Sequence, residues 1–238
     1  MEGCTEALEY VEKTAGAKYL HLQDKWGNSA LTVAVMYNKH ETITYLLEKG
    51  LKATHKSSNG NSVFRVACEM GDAKVLSLLF SKTQGVANII NGQDSQGKTL
   101  LHCACSLGRR DIVEILLKHG ASPSKKDISG TTPLILAVML GHHNFLDLLI
   151  KEKPAIHVTD VTGRSALHWA AAVGNLEAAE FLISVGAKLE NRDKKGRTPF
   201  LLASFAHQLP MVRLLREKNA NKDVKDNEGR EANFQALL

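Results

Sequence analysis

The stretch GKTLLHCACSLGRRD, residues 97–111, decides the fold once its neighbours are set beside it. Gly97 is one of seven glycines, at Gly27, Gly60, Gly97, Gly130, Gly163, Gly196 and Gly229, with gaps of 33, 37, 33, 33, 33 and 33 residues. A fixed period of this size means stacked units, each too small to bury its apolar face alone. Aligned on glycine, the segments read GNSALTVAV (27–35), GNSVFRVAC (60–68), GKTLLHCAC (97–105), GTTPLILAV (130–138), GRSALHWAA (163–171) and GRTPFLLAS (196–204). Each has Ser or Thr at the second place after glycine, Leu or Phe at the fourth and Ala at the seventh.

The Ser or Thr suits a helix N-cap, and Pro133 and Pro199 at the third place suit a first helical turn. Eleven places after each glycine stand Asn38, Gly71, Gly108, Gly141, Gly174 and His207, residue types that accept the left-handed backbone of a helix stop. A second apolar stretch follows at helical spacing, as in IVEILLKHGA (112–121) and AAEFLISVGA (178–187). The pattern resembles the ankyrin repeat, whose motif is T-P-L-H-x-A, over roughly residues 24–229. That resemblance implies an all-α ankyrin-repeat solenoid of helix-turn-helix units with short β-turn fingers, a curved stack that binds protein partners. It divides one domain, 1–238, into an N-terminal half-repeat (1–23), six full repeats (24–56, 57–93, 94–126, 127–159, 160–192 and 193–225) and a C-terminal partial repeat (226–238). The four extra residues around TQGV (83–86) predict a longer surface loop. Arg216 and Lys222 stand where earlier units are mostly apolar, as a terminal cap requires.

Composition agrees with a folded intracellular chain, cytoplasmic or nuclear. Hydrophobic residues make up 44% and charged residues 23%, the start MEGCTEALEYVEKTAG lacks the basic and apolar parts of a signal peptide, and the apolar run LILAVML is too short for a bilayer span. Four cysteines in 238 residues form no disulfide framework. The net charge of +5 comes from 30 basic against 25 acidic residues, a mixed surface that argues only weakly for nucleic acid.

His102, Cys103 and Cys105 raise the question of a metal or an activated thiol. Cys103 and Cys105 fall at the sixth and eighth places, occupied elsewhere by small or apolar groups, so they read as packed hydrophobes. His102 and His168 occupy the histidine of the family motif, and the resemblance implies a structural role between neighbouring turns. No Cys-x-x-Cys, H-E-x-x-H, phosphate loop or G-x-S-x-G elbow occurs. His142 and His143 are adjacent, so on a helix they diverge towards solvent. No catalytic residue, metal or cofactor is therefore expected.

What remains is a surface. Places four, seven, eight and eleven share one helix face, and nine and ten lie opposite. The opposite places hold Met36, Tyr37, Met70, Leu107, Met139, Leu140, Val173 and Phe205, and the finger tips add Trp26, Ile128 and Val161. Exposed apolar residues in a row mark a partner site, whereas the plainer reading is that they fill gaps between neighbouring first helices. Basic residues flank them at Lys25, Lys56, Lys98, Lys126, Arg164, Arg192, Lys194, Lys195 and Arg197, which would favour an acidic segment in a protein partner. The expected function is thus a non-catalytic adaptor that holds a protein or peptide along its concave groove. A targeting or regulatory arm of a larger multidomain protein is the alternative, and nucleic-acid binding the weaker one.

Overall fold

The computed structural model describes residues 3–58, 60–150 and 156–232. Helix α1 (Gly3–Ala15) is followed by a 3-10 turn (Ala17–His21), and then helices alternate between an inner and an outer layer. The inner helices are α2 (Ala30–Met36), α4 (Val63–Met70), α7 (Leu100–Ser106), α9 (Pro133–Met139), α11 (Ala166–Val173) and α13 (Pro199–Phe205). Their outer partners are α3 (His40–Glu48), α5 (Ala73–Lys82), α8 (Arg110–Lys118), α10 (Leu146–Leu149), α12 (Leu176–Ser184) and α14 (Leu209–Glu217). Each inner helix packs on the next, so the core is one continuous strip along the stack.

The residues that start and stop these helices are those read from sequence. Ser29, Ser62, Thr99, Thr132 and Thr198 each accept a hydrogen bond from the backbone N–H three residues on. Asn38 and His207 take φ of 53° and 54°, joining Gly71, Gly108, Gly141 and Gly174 in the left-handed region, so the inner-to-outer turn is built alike in all six units. Fourth-place and seventh-place residues are buried throughout, with Leu31, Phe64, Leu101 and Leu134 at 0% exposure.

At the N-terminal end α1 is fastened to α3. The Tyr45 hydroxyl donates to the Glu12 carboxylate, Lys49 Nζ lies 2.9 Å from the same carboxylate, and Thr5 and Thr42 hydroxyls are 3.1 Å apart. At the other end Arg216 and Lys222 are exposed. The last finger runs to a buried Ala232, and the rest of the partial repeat lies outside the described residues.

Two expectations are corrected. The extra residues are not only loop: beyond Thr83–Gly85 they form a further helix, α6 (Val86–Ile90), because Ile90 buries its side chain and Ile89 leans on the core. His142 and His143 are not helical. They lie in the turn ahead of α10, where His142 is half-buried with Nε2 3.2 Å from the Ser106 carbonyl oxygen.

Candidate partner-binding surface

The fingers are ordered by a carboxylate three places before glycine. The Asp24, Asp94, Asp127, Asp160, Asp193 and Asp226 side chains each accept backbone N–H bonds from residues two and four further on, at 2.8–3.0 Å. Such an Asx turn lets a short polar side chain do the work of a backbone turn. Among the described residues, backbone bonds then link successive fingers from Ser58 N–H to Trp26 O (3.0 Å), Ile128 to Gln96 (3.1 Å), Val161 to Ser129 (2.9 Å), Lys194 to Thr162 (2.9 Å) and Asn227 to Lys195 (2.9 Å). These links hold Trp26, Ile128 and Val161 out on the fingers, at 57%, 67% and 53% exposure.

At the far end of the inner helices runs a second apolar row. Tyr37, Met70, Leu107, Leu140 and Val173, all at the tenth place, are 43–70% exposed. The ninth place behaves differently: Met36, Met139 and Phe205 are half-buried and lean on the core, because the neighbouring inner helix covers part of each. Helix geometry on its own put both places towards solvent; the stack splits them. Conversely, sixth-place residues assigned to packing are half-buried at Val33, Leu136 and Trp169. Trp169 Nε1 donates to Asp160 at 2.8 Å, and the Arg164 guanidinium sits 4.8 Å from its ring centre.

The structure brings Trp26, Met36 and Tyr37 together around a hollow of about 370 Å³, with Val33 beside them. It adjoins a larger hollow of about 720 Å³ between α1 and α2, lined by Leu8, Val11, Leu22, Val33 and Tyr37. The single-helix N-terminal segment offered no repeat register from which to place that second hollow.

The basic rim is divided in its use. Arg197 and Arg164 both turn to Asp193, whose side chain is fully buried, at 2.6 Å and 3.5 Å. Burial alone would raise the Asp193 pKa, but the Arg197 guanidinium and backbone N–H groups outweigh it and hold the carboxyl below its usual range. Lys126 Nζ donates to the Thr159 carbonyl at 2.8 Å, and Arg192 to those of Gly196 and Lys225. Lys194 and Lys195 are exposed, in no ion pair among the described residues.

A family model for ankyrin repeats in three copies matches residues 2–90, 52–127, 84–160 and 134–226. The chain belongs to the ankyrin-repeat family. This architecture is a non-catalytic protein-interaction scaffold. The ankyrin repeat domain of Bcl-3, a unique member of the IkappaB protein family, superposes with a TM-score of 0.76 at 23% identity, over 89% of this chain and 91% of that one. NF-kappa-B inhibitor alpha of Sus scrofa is 31% identical over 123 residues, 50% of this chain and 39% of that protein. Transient receptor potential cation channel subfamily A member 1 of Homo sapiens is 28% identical over 126 residues, 53% of this chain and 11% of that protein. These matches thus span well under half of either relative's length.

Within the ankyrin array, the His102–Cys103–Cys105 cluster is packing. All three residues are buried, and burial pushes the Cys103 thiol up to about 11 and that of Cys105 well above its ordinary value. Among the described residues no three His, Cys, Asp or Glu side chains converge as a metal site would require, and no helix is long and apolar enough to cross a membrane. The finger aspartates escaped the sequence reading, although their recurrence three places before six of seven glycines was there to be found.

Proposed function

We propose that this ankyrin array is an intracellular adaptor, acting in cytoplasm or nucleus, that holds a partner protein or peptide across its concave face. The observation that carries this reading is the tenth-place row. Five of its six residues are large apolar side chains, well exposed on a surface that water alone would not select. Trp26, Met36 and Tyr37 form the anchor at the N-terminal end, with Ile128 and Val161 along the fingers. Met139 and Phe205 serve the floor of the groove. Lys194 and Lys195, exposed and in no ion pair among the described residues, would meet an acidic stretch of the partner; Arg164 and Arg197 shape the rim through Asp193.

The test is affinity capture with the wild-type chain and a Tyr37→Ser, Leu107→Ser, Leu140→Ser variant. Partners retained by the first and lost by the second, at an unchanged thermal midpoint, support the reading. Partners retained equally by both would sink it. A second reading, an interaction arm serving a larger protein, is favoured by the channel-subunit relative, in which the matching segment is 11% of a much longer chain.

A further inference from the structure

The Gly60 unit departs twice from the Gly97 and Gly163 units, the two of six that carry histidine five places after glycine, Thr32, Ile135 and Leu201 standing there in the others. At the fifth position after glycine, His102 and His168 place Nε2 3.0 Å and 3.1 Å from the carbonyl oxygens of Thr131 and Arg197, closing the gap to the next finger. The Gly60 unit has Arg65 there instead. Its guanidinium reaches Asp94 at 2.7 Å and Glu69 at 3.3 Å, and the matching carbonyl, that of Lys98, receives no side chain from α4. The second break is the four-residue insertion, whose helix α6 stands beside the same gap.

The two departures meet at a cavity of about 160 Å³ between the Gly60 and Gly97 fingers, lined among others by Lys56, Arg65, Ile89, Asp94, Lys98 and Leu100. Three cationic residues and one carboxylate line it, and that carboxylate is already held by Arg65. Neither the Lys56 nor the Lys98 ammonium is in an ion pair among the described residues. Ile89 and Leu100 supply an apolar wall. We infer that this cavity binds an anionic side chain of a partner segment, a phosphate monoester or carboxylate on a short stem. The head meets the two ammoniums in charge-assisted hydrogen bonds, and the stem lies against Ile89 and Leu100. The inference rests on the partner-binding reading for its biological meaning, yet the site is tested without any partner.

The experiment titrates the ¹⁵N-labelled full chain with O-phosphoserine and, separately, with N-acetylglutamate at constant ionic strength. Saturable amide shifts are expected at Ser62, Gly92 and Lys98. Lys56→Gln with Lys98→Gln should weaken them by about tenfold or more, the loss of two charge-assisted bonds. Arg65→His, which puts there the histidine of the next unit and bridges the gap, should abolish them while keeping the thermal midpoint. Tighter binding of phosphoserine assigns a phosphate monoester, and equal or tighter binding of N-acetylglutamate assigns a carboxylate. Absence of saturation with both probes, full affinity in either variant, or equal shifts at every lysine-bearing finger overturns the site. Failure of the concave-face reading would show itself elsewhere, as partner retention by the groove variant, and would leave these shifts untouched.

Discussion

His102 Nε2 lies 3.0 Å from the Thr131 carbonyl oxygen, while its Nδ1 accepts the Thr99 backbone N–H at 3.1 Å. The second bond places the ring's proton on Nε2, so the imidazole joins two units as a neutral group. His168 repeats the arrangement with Ser165 and Arg197. Burial lowers both pKa values despite the opposing carbonyl bond. With the folded pKa below the unfolded value of about 6.5, stability is full above that pH and falls as pH drops towards the folded pKa. The unfolding free energy from urea titrations should decline between pH 7.5 and 5, by up to about 1.4 kcal/mol per pH unit for each histidine. The double variant His102→Gln, His168→Gln should be less stable at pH 7.5 and lose this slope; an unchanged slope would refute the neutral-bridge account.

Leu101 is fully buried between neighbouring inner helices. Leu101→Ala is expected to cost about 3 kcal/mol by lost transfer energy and residual cavity. Glu69→Ala, which removes an exposed pair with Arg65, should cost less than about 1 kcal/mol. Chemical denaturation of the two variants checks the register directly, since a one-place shift would reverse the order.

Asp193 organises its own finger and receives two arginines in a fully buried position. Asp193→Asn should destabilise by about 3 kcal/mol, because it leaves Arg197 without its partner. Its depressed pKa makes the carboxylate's contribution present above about pH 4 and lost as pH falls further. Thermal melts of wild type and variant should therefore converge in acid.

Cys103 and Cys105 should react with a thiol reagent only when the array opens, Cys105 being fully buried and Cys103 nearly so. Site-resolved mass spectrometry after brief labelling measures this. Native labelling at the rate of the urea-unfolded chain would contradict the packing.

Polar replacement of Tyr37, Leu107 and Leu140 should move stability by less than about 0.5 kcal/mol each. Phe205→Ser should cost more, since that ring leans on the core and meets Arg230 at 5.6 Å. If the surface binds a partner, the exposed triple should weaken it by about 2 kcal/mol or more, a few anchors dominating most interfaces. Calorimetry and partner affinity on the same variants separate these outcomes.

The glycine period contained the stack, and the eleventh-place residues contained its turns, because both are local backbone demands that only certain residue types meet. Burial at the ninth place was not legible. Met36 and Met139 look like surface in a single helix, and only the neighbouring helix covers them. Ile90 gave no periodic signal, so the insertion read as loop, whereas its one buried side chain was enough to fold it. Arg65 stood plainly at the fifth place of its unit, but what it does there, reaching Asp94 of the next finger instead of a backbone carbonyl, depends on distances between units.

Six of the seven fingers are braced internally by their own aspartate, while the described links between successive fingers are single backbone bonds. Pulled from its ends, such a molecule would behave as rigid blocks in series with compliant joints, and the joints would part before the blocks deform. Elastic compliance along the axis is thus written into the spacing of hydrogen bonds.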